Sequence, residues 1–178
     1  MAGTVWTISN LIVAVTCWIL IFVLFKYGTR KVHYIWAFFN FIISIWGLGA
    51  FLVGLSRDSS TAMIFWKIAL GGGLLAPIVF YHVIVVLGEL KRKILLRIFY
   101  IYTTIAYFLT LFDFVGIKII YIYDSLYYIK AMDFRWKLVL IIWISTIIYA
   151  IFELSRLLIK SYGHRRLQFQ YLPSAIQI

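Results

Sequence analysis

Three of the ionisable side chains within or at the end of the apolar stretches of this chain are the first candidates for chemistry. Lys67 and His82 lie inside one such stretch, and Asp113 lies at the end of the next. A charge within a bilayer is costly and is therefore often functional. We expect Lys67 either to pair with Asp113 or to extend its long side chain to the membrane interface. His82 has no Cys or carboxylate spaced to complete a metal site, so we expect it to hydrogen-bond to another helix.

No catalytic motif accompanies these residues. The chain has no HExxH, no GxSxG and no Gly-rich phosphate loop. The run Gly71-Gly72-Gly73 lies inside an apolar stretch, where a phosphate loop cannot form. A proton pump would need a chain of carboxylates deep in the membrane, and the sequence lacks one. We therefore predict a protein that is not an enzyme and that uses no metal or cofactor.

The stretch that contains Lys67 also carries small residues and a proline. Gly71, Gly72 and Gly73 permit neighbouring helices to approach closely. Pro77 removes one helical hydrogen bond and favours a kink. Two interpretations stay open: these residues serve tight packing alone, or the kink opens a cleft for a ligand.

The composition indicates the elements that must position these side chains. Of the 178 residues, 65% are hydrophobic and 13% are charged, whereas a soluble domain is about 45–50% apolar and about 25% charged. A soluble enzyme, a disordered tail and a disulfide-rich secreted scaffold are therefore excluded, and the chain has a single cysteine, Cys17. We predict an all-α, polytopic membrane bundle forming one domain, because each of five apolar runs suffices to cross a bilayer. The predicted spans cover residues 8–25, 34–55, 62–87, 94–115 and 138–159.

The net charge of +11 predicts topology rather than nucleic-acid binding. Leaving Lys67 aside, eleven basic residues fall on one side of the predicted spans and five on the other. Multi-pass proteins concentrate Lys and Arg in their cytoplasmic loops. We therefore expect the N-terminus outside and the C-terminus in the cytoplasm. The eleven residues are Lys26, Arg30, Lys31, Lys91, Arg92, Lys93, Arg97, Arg156, Lys160, Arg165 and Arg166.

Residues 116–137 form the sizeable outer loop between spans four and five. Aromatic and β-branched residues flank the polar pair Asp124-Ser125, which is typical of a short hairpin. Tyrosines are also favoured at headgroup depth. The loop is therefore either a hairpin on the outer face or an interfacial aromatic belt.

Two stretches resemble a known family. One is residues 62–71, AMIFWKIALG, continuing through Pro77 to His82, and the other is residues 165–172, RRLQFQYL. Together they resemble the seven-helix N-terminal sensor region of bacterial histidine kinases. The resemblance implies a location in a bacterial inner membrane and an extracellular hairpin between helices four and five. It also implies that residues 165–172 lead towards a sixth helix. The chain lacks the Gly-Pro that often precedes helix five in that family. It ends at Ile178, so the resemblance implies a sensor without its own output domain.

Two functions of different classes follow from this interpretation. The first is a membrane sensory or receptor-like module whose cleft lies among spans two to five, beneath the outer loop. The alternative is an accessory or scaffolding subunit of a larger membrane complex, since 20% aromatic residues offer large rigid surfaces to other membrane chains. A transporter or channel is less favoured, because five spans without repeats make a poor solitary pore. From their outer position and polarity, the residues predicted to line the cleft are Trp46, Trp66, Lys67, Tyr107 and Asp113.

The basic residues after the last span form a second candidate site. Arg165, Arg166 and Gln168 lie beyond the point where topology is fixed. They either set topology together with the other basic residues or also dock an acidic partner or a lipid headgroup. Membrane lipids and other membrane chains are therefore the expected partners.

Overall fold

The computed structural model shows five long helices and one hairpin. The helices are α1 (Ala2–Tyr27), α2 (Lys31–Leu55), α3 (Ser59–Leu87), α4 (Lys93–Leu111) and α5 (Phe134–Tyr171), and the strands are β1 (Ile117–Ile122) and β2 (Leu126–Ala131). The structure describes residues 2–115, 117–122, 126–131 and 134–171, with side chains in 3–115, 117–122, 126–130 and 134–159.

Five helices in the described part of the chain are long and apolar enough to cross a membrane. The sequence-based prediction of a multi-pass, helical membrane protein is confirmed at that level. Helix α4 ends at Leu111, short of the predicted end of span four at residue 115, because Asp113 adopts a left-handed backbone with φ 61. Helix α5 begins at Phe134, before the predicted start at residue 138, and continues to Tyr171. Its apolar, membrane-length part covers Phe134–Ile159.

Helix α3 lies at the centre of the bundle. It packs against α2 on one side and against α4 and α5 on the other, while α1 packs on α2. Half of the most apolar window of α3 is buried, against 22% for α1, α4 and α5. A site between α2 and the α4–α5 side of the bundle therefore includes a face of α3.

The start of α3 is fixed by an N-cap. The Asp58 carboxylate accepts hydrogen bonds from the Ser60 hydroxyl at 2.5 Å and from the Thr61 amide at 2.8 Å. These bonds, with one from the Thr61 hydroxyl, lower the pKa of Asp58 from 3.8 to about 2. A carboxylate that satisfies first-turn amides stabilises the helix end, so α3 begins directly after the α2–α3 connection.

Residues 116–137 contain a hairpin, the first of the two structures expected for this loop. Strands β1 and β2 are antiparallel, with Ile119 opposite Ile129 and Tyr121 opposite Tyr127. The predicted turn at Asp124 and Ser125 lies outside the described residues. Strand β2 contacts α2 and α3, so the hairpin folds back over the end of the bundle.

The second candidate site lies on the extension of α5. The backbone of Arg165, Arg166 and Gln168 is helical. Their side chains lie outside the described residues, so their docking role stays a prediction.

Candidate functional site

A cleft of about 450 Å³ opens between α2, α3, α5 and strand β2. Its walls are aromatic: they contain four of the seven tryptophans of the chain and one tyrosine. No lining residue is charged. The aromatic residues are Trp46, Trp66, Trp136, Trp143 and Tyr128, and the remaining lining residues are Leu70, Gly73, Leu74, Ile129 and Leu140.

Pro77 explains why one wall of the cleft is a tryptophan. A proline has no backbone N–H, so the carbonyl four residues earlier loses its helical hydrogen bond. That carbonyl belongs to Gly73, and the Trp143 indole nitrogen donates a hydrogen bond to it at 2.9 Å. A carbonyl left without a donor in a bilayer is costly. The bond therefore compensates for the proline and ties α5 to the middle of α3.

The glycine run of α3 brings α2 close enough to place Trp46. A Cβ atom at Gly72 would lie 2.5 Å from both the Ile42 carbonyl oxygen and the Trp46 amide nitrogen. At Gly73, a Cβ would lie 3.2 Å from the Trp46 ring. The two backbones therefore meet at Gly72, and the ring of Trp46 extends over Gly73 into the cleft.

The hairpin forms the roof of the cleft and is held there by Trp66. The buried Trp66 donates a hydrogen bond from Nε1 to the Tyr127 carbonyl oxygen at 3.0 Å. The Tyr127 hydroxyl donates to the Arg57 carbonyl oxygen at 3.3 Å. The Trp66 ring also meets Tyr128 edge-on, with centroids 5.8 Å apart, and Trp6 at 6.4 Å. Strand β2 is thus fixed to α3 by one hydrogen bond and aromatic packing, and to the α2–α3 connection by a second hydrogen bond.

Three of the five residues predicted to line one cleft lie on another side of α3. Lys67 Nζ and Asp113 Oδ2 are 2.7 Å apart, so the structure shows the ion pair among the two outcomes expected for Lys67. The Lys67 side chain is 18% exposed and that of Asp113 is 64% exposed. Tyr107 lies against Gly71, where a Cβ would be 3.0 Å from its ring. Only Trp46 and Trp66 of the predicted set line the cleft, whereas Lys67, Tyr107 and Asp113 join α3 to α4.

Trp136, Trp143 and Tyr128 were missed by the sequence interpretation. The signal for Trp143 was Pro77, since a carbonyl freed inside a membrane helix needs a donor from a neighbour. His82 forms the inter-helix hydrogen bond expected of it, with Nδ1 3.0 Å from the Tyr100 hydroxyl. Among the described residues, no three His, Cys, Asp or Glu side chains come together as a metal-binding group would require.

Comparison of the chain with protein-family models, with curated proteins and with solved structures gives no match. The fold itself defines a class, a multi-pass helical membrane protein with an aromatic cleft between its helices. The resemblance to the histidine-kinase sensor region stays a prediction. The function is therefore argued from the cleft.

Proposed function

We propose that this chain is a sensory or receptor-like membrane module that binds an uncharged, apolar or aromatic small molecule in its tryptophan cleft. The observation that carries the proposal is the cleft of about 450 Å³ with four tryptophans and no charged residue in its walls. Ligand pockets are typically apolar cavities of about 300–1,000 Å³. The indole N–H groups of Trp66 and Trp143 already bind backbone carbonyls. These two rings therefore offer their faces, which favours a ligand that packs rather than one that accepts hydrogen bonds.

Helix α5 is the element suited to transmit the presence of a ligand. It supplies Trp136, Leu140 and Trp143 to the cleft and runs without a break to Tyr171, twelve residues beyond its apolar part. A ligand that favours one position of α5 shifts the population of that position along the whole rigid helix. With the orientation predicted from charge, the cleft lies in the outer half of a bacterial inner membrane and α5 ends in the cytoplasm.

Contact quenching of tryptophan fluorescence tests the binding step. The protein, reconstituted in lipid nanodiscs, is titrated with 4-bromobiphenyl, an uncharged aromatic quencher. We expect saturable quenching that Trp136→Ala weakens about tenfold or more, because a buried aromatic contact contributes about 1.4 kcal/mol or more. The matched control is Trp18→Ala, since Trp18 lies on α1 and is 50% exposed. Quenching that stays linear, or that both substitutions weaken equally, would overturn the assignment of the cleft.

Amide hydrogen exchange tests the transmission step. Bound 4-bromobiphenyl is expected to change the protection of residues 160–171, although they lie beyond the membrane-length part of α5. Trp136→Ala should abolish that change at the same quencher concentration. Saturable binding without any change in residues 160–171 would leave a binding protein but refute the sensory role.

A ridge of aromatic residues on α1 favours the second candidate function, an accessory subunit of a larger complex. Trp18, Phe22 and Phe25 are 50%, 66% and 61% exposed, and their spacing places them along one face of the helix. Such a ridge fits the groove of a partner helix. Purification in mild detergent separates the two functions: co-migration with other membrane chains that is lost in Phe22→Ala supports the subunit, and a lone chain excludes it.

A further inference from the structure

A second cleft, of about 860 Å³, lies at the opposite end of α3 from the hairpin. It opens between the first turns of α4 and the facing side of α5, beside the α3–α4 connection. Basic residues line the end of the cleft at the α3–α4 connection, here called its rim, and apolar residues of the first turns of α4 line the rest. The lining residues are Glu89, Leu90, Lys91, Arg92, Lys93, Ile94, Leu95, Ile98 and Tyr149.

The α3–α4 connection is held against α5 by packing and a hydrogen bond, and these contacts fix the shape of the cleft. The Leu157 side chain sits on Gly88, where a Cβ would lie 2.5 Å from it. The chain then turns through Glu89, whose backbone is left-handed with φ 50. Arg92 donates a hydrogen bond to Glu153 on α5 at 3.0 Å. Helix α4 starts at this connection and packs against α3. The second cleft is therefore a wedge between α4 and α5, and we call it the wedge below.

Some of the charged side chains at this end of the cleft form ion pairs and others do not. Glu153 is buried and binds Arg92 at 3.0 Å, Arg156 at 3.8 Å and the Tyr149 hydroxyl at 2.9 Å. Lys91 and Lys93 are exposed, and neither forms an ion pair with a described carboxylate. Glu89 is the one carboxylate among the lining residues. The rim therefore presents two ammonium groups that form no ion pair with a described carboxylate.

We propose that this wedge binds one anionic phospholipid. The phosphate lies between Lys91 and Lys93, and an acyl chain lies along Ile94, Leu95 and Ile98. The apolar residues begin directly after Lys93, where the membrane-length part of α4 also begins. A lipid at its normal depth in the bilayer would therefore place its headgroup beside the two lysines and its acyl chain beside the apolar residues of α4. Basic pockets between membrane helices bind anionic headgroups in this way.

The exposed apolar side chains of the wedge are what select a lipid over free phosphate. A phosphate ion would use the two lysines and leave the side chains of Ile94 and Ile98, which are 76% and 54% exposed, without a partner. The amide groups of the first turn of α4, which lack intrahelical acceptors, favour the anionic headgroup in addition. The choline headgroup of a zwitterionic lipid carries a cation that the lysines repel.

Native mass spectrometry of the whole chain in mild detergent tests the proposal. Dioleoylphosphatidylglycerol and dioleoylphosphatidylcholine are titrated separately, and we expect one tight site for the anionic lipid. The double substitution Lys91→Gln and Lys93→Gln should weaken that site about 30-fold, since each lysine near a phosphate contributes about fivefold. Phosphatidylcholine binding should not change. Both lysines are exposed, so the variant should fold.

A matched control separates the wedge from a general effect of charge. Lys26→Gln with Lys31→Gln removes the same charge from the last turn of α1 and the first residue of α2, which lie at the same end of the bundle. This variant should leave the tight site intact. Equal weakening by both double variants would overturn the proposal, as would equal binding of the two lipids. Displacement of phosphatidylglycerol by inorganic phosphate would also overturn it, because the site would then take the anion alone. Quenching by 4-bromobiphenyl should be the same in the Lys91/Lys93 variant, so the two sites are tested independently.

Discussion

The hydrogen bond from Trp143 to the Gly73 carbonyl predicts an energetic coupling between Trp143 and Pro77. Trp143→Phe keeps an aromatic ring in the cleft and removes the only N–H of the side chain. The Gly73 carbonyl then loses the donor at 2.9 Å, and Pro77 cannot replace it. A buried carbonyl without a donor costs about 1–3 kcal/mol, and hydrogen bonds between membrane helices average about 0.6 kcal/mol. We expect the free energy of unfolding to fall by about 1 kcal/mol from the lost bond.

Pro77→Ala turns this expectation into a double-mutant cycle. An alanine at position 77 restores the backbone N–H that bonds to the Gly73 carbonyl in a regular helix. In that background the indole donor is redundant, so Trp143→Phe should cost a few tenths of a kcal/mol plus the effect of the smaller ring. The smaller ring costs the same in both backgrounds and cancels. The coupling energy that remains is about 1 kcal/mol less those few tenths, or about 0.7 kcal/mol.

Reversible unfolding by sodium dodecyl sulfate in mixed micelles measures all four proteins of the cycle. The helical circular dichroism signal is the suitable probe, because the substitution of a tryptophan alters fluorescence. Trp18→Phe is the control for ring size alone, since Trp18 is half exposed on α1. A coupling energy of zero would refute the reasoning, because the indole bond would then not compensate for the proline.

Three further predictions use the same unfolding assay. Gly72→Ala should lower the free energy of unfolding by about 1–3 kcal/mol, since its Cβ would meet the α2 backbone at 2.5 Å. Gly73→Ala should lower it less, because its Cβ would lie 3.2 Å from the Trp46 ring. Equal effects of the two substitutions would contradict the close approach of the backbones at Gly72. The Lys67–Asp113 pair should show a coupling energy below about 1 kcal/mol in the cycle of Lys67→Met and Asp113→Asn, because one partner is 64% exposed. The N-cap Asp58 has a pKa lowered from 3.8 to about 2. Its contribution is therefore complete above pH 3.8 and lost as pH falls through about 2; Asp58→Asn should remove that part of the acid sensitivity, and an unchanged profile would exclude the cap.

The membrane helices were predictable from the sequence because length and hydropathy alone specify them. A bilayer requires about 20 apolar residues per span, and this requirement does not depend on what each side chain contacts. The ends were less predictable, because a helix continues for as long as its backbone permits. Helix α5 therefore runs past Ile159 to Tyr171, and α4 stops at Leu111, before the left-handed Asp113.

The cleft was only partly predictable, because its residues share depth but differ in direction around each helix. In a soluble helix a polar face shows which side is buried, whereas a membrane helix is apolar on every side. Depth alone indicated that Lys67 and Asp113 could meet, and they do, at 2.7 Å. Nothing in the apolar pattern of α5 distinguished Trp136 and Trp143 from neighbours that face lipid.

The five residues predicted to line one cleft lie on two sides of α3 because successive residues of a helix point in different directions. Trp66 and Lys67 are adjacent in sequence, so their side chains leave α3 about 100° apart. Trp66 therefore reaches the hairpin and the cleft, with its indole on the Tyr127 carbonyl, while Lys67 reaches Asp113 at the end of α4. The same step places Gly72 against the α2 backbone and Gly71 against Tyr107 on α4. Helix α3 thus divides its polar and aromatic residues between two neighbours, leaving the wall of the cleft free of charge and the ion pair outside it.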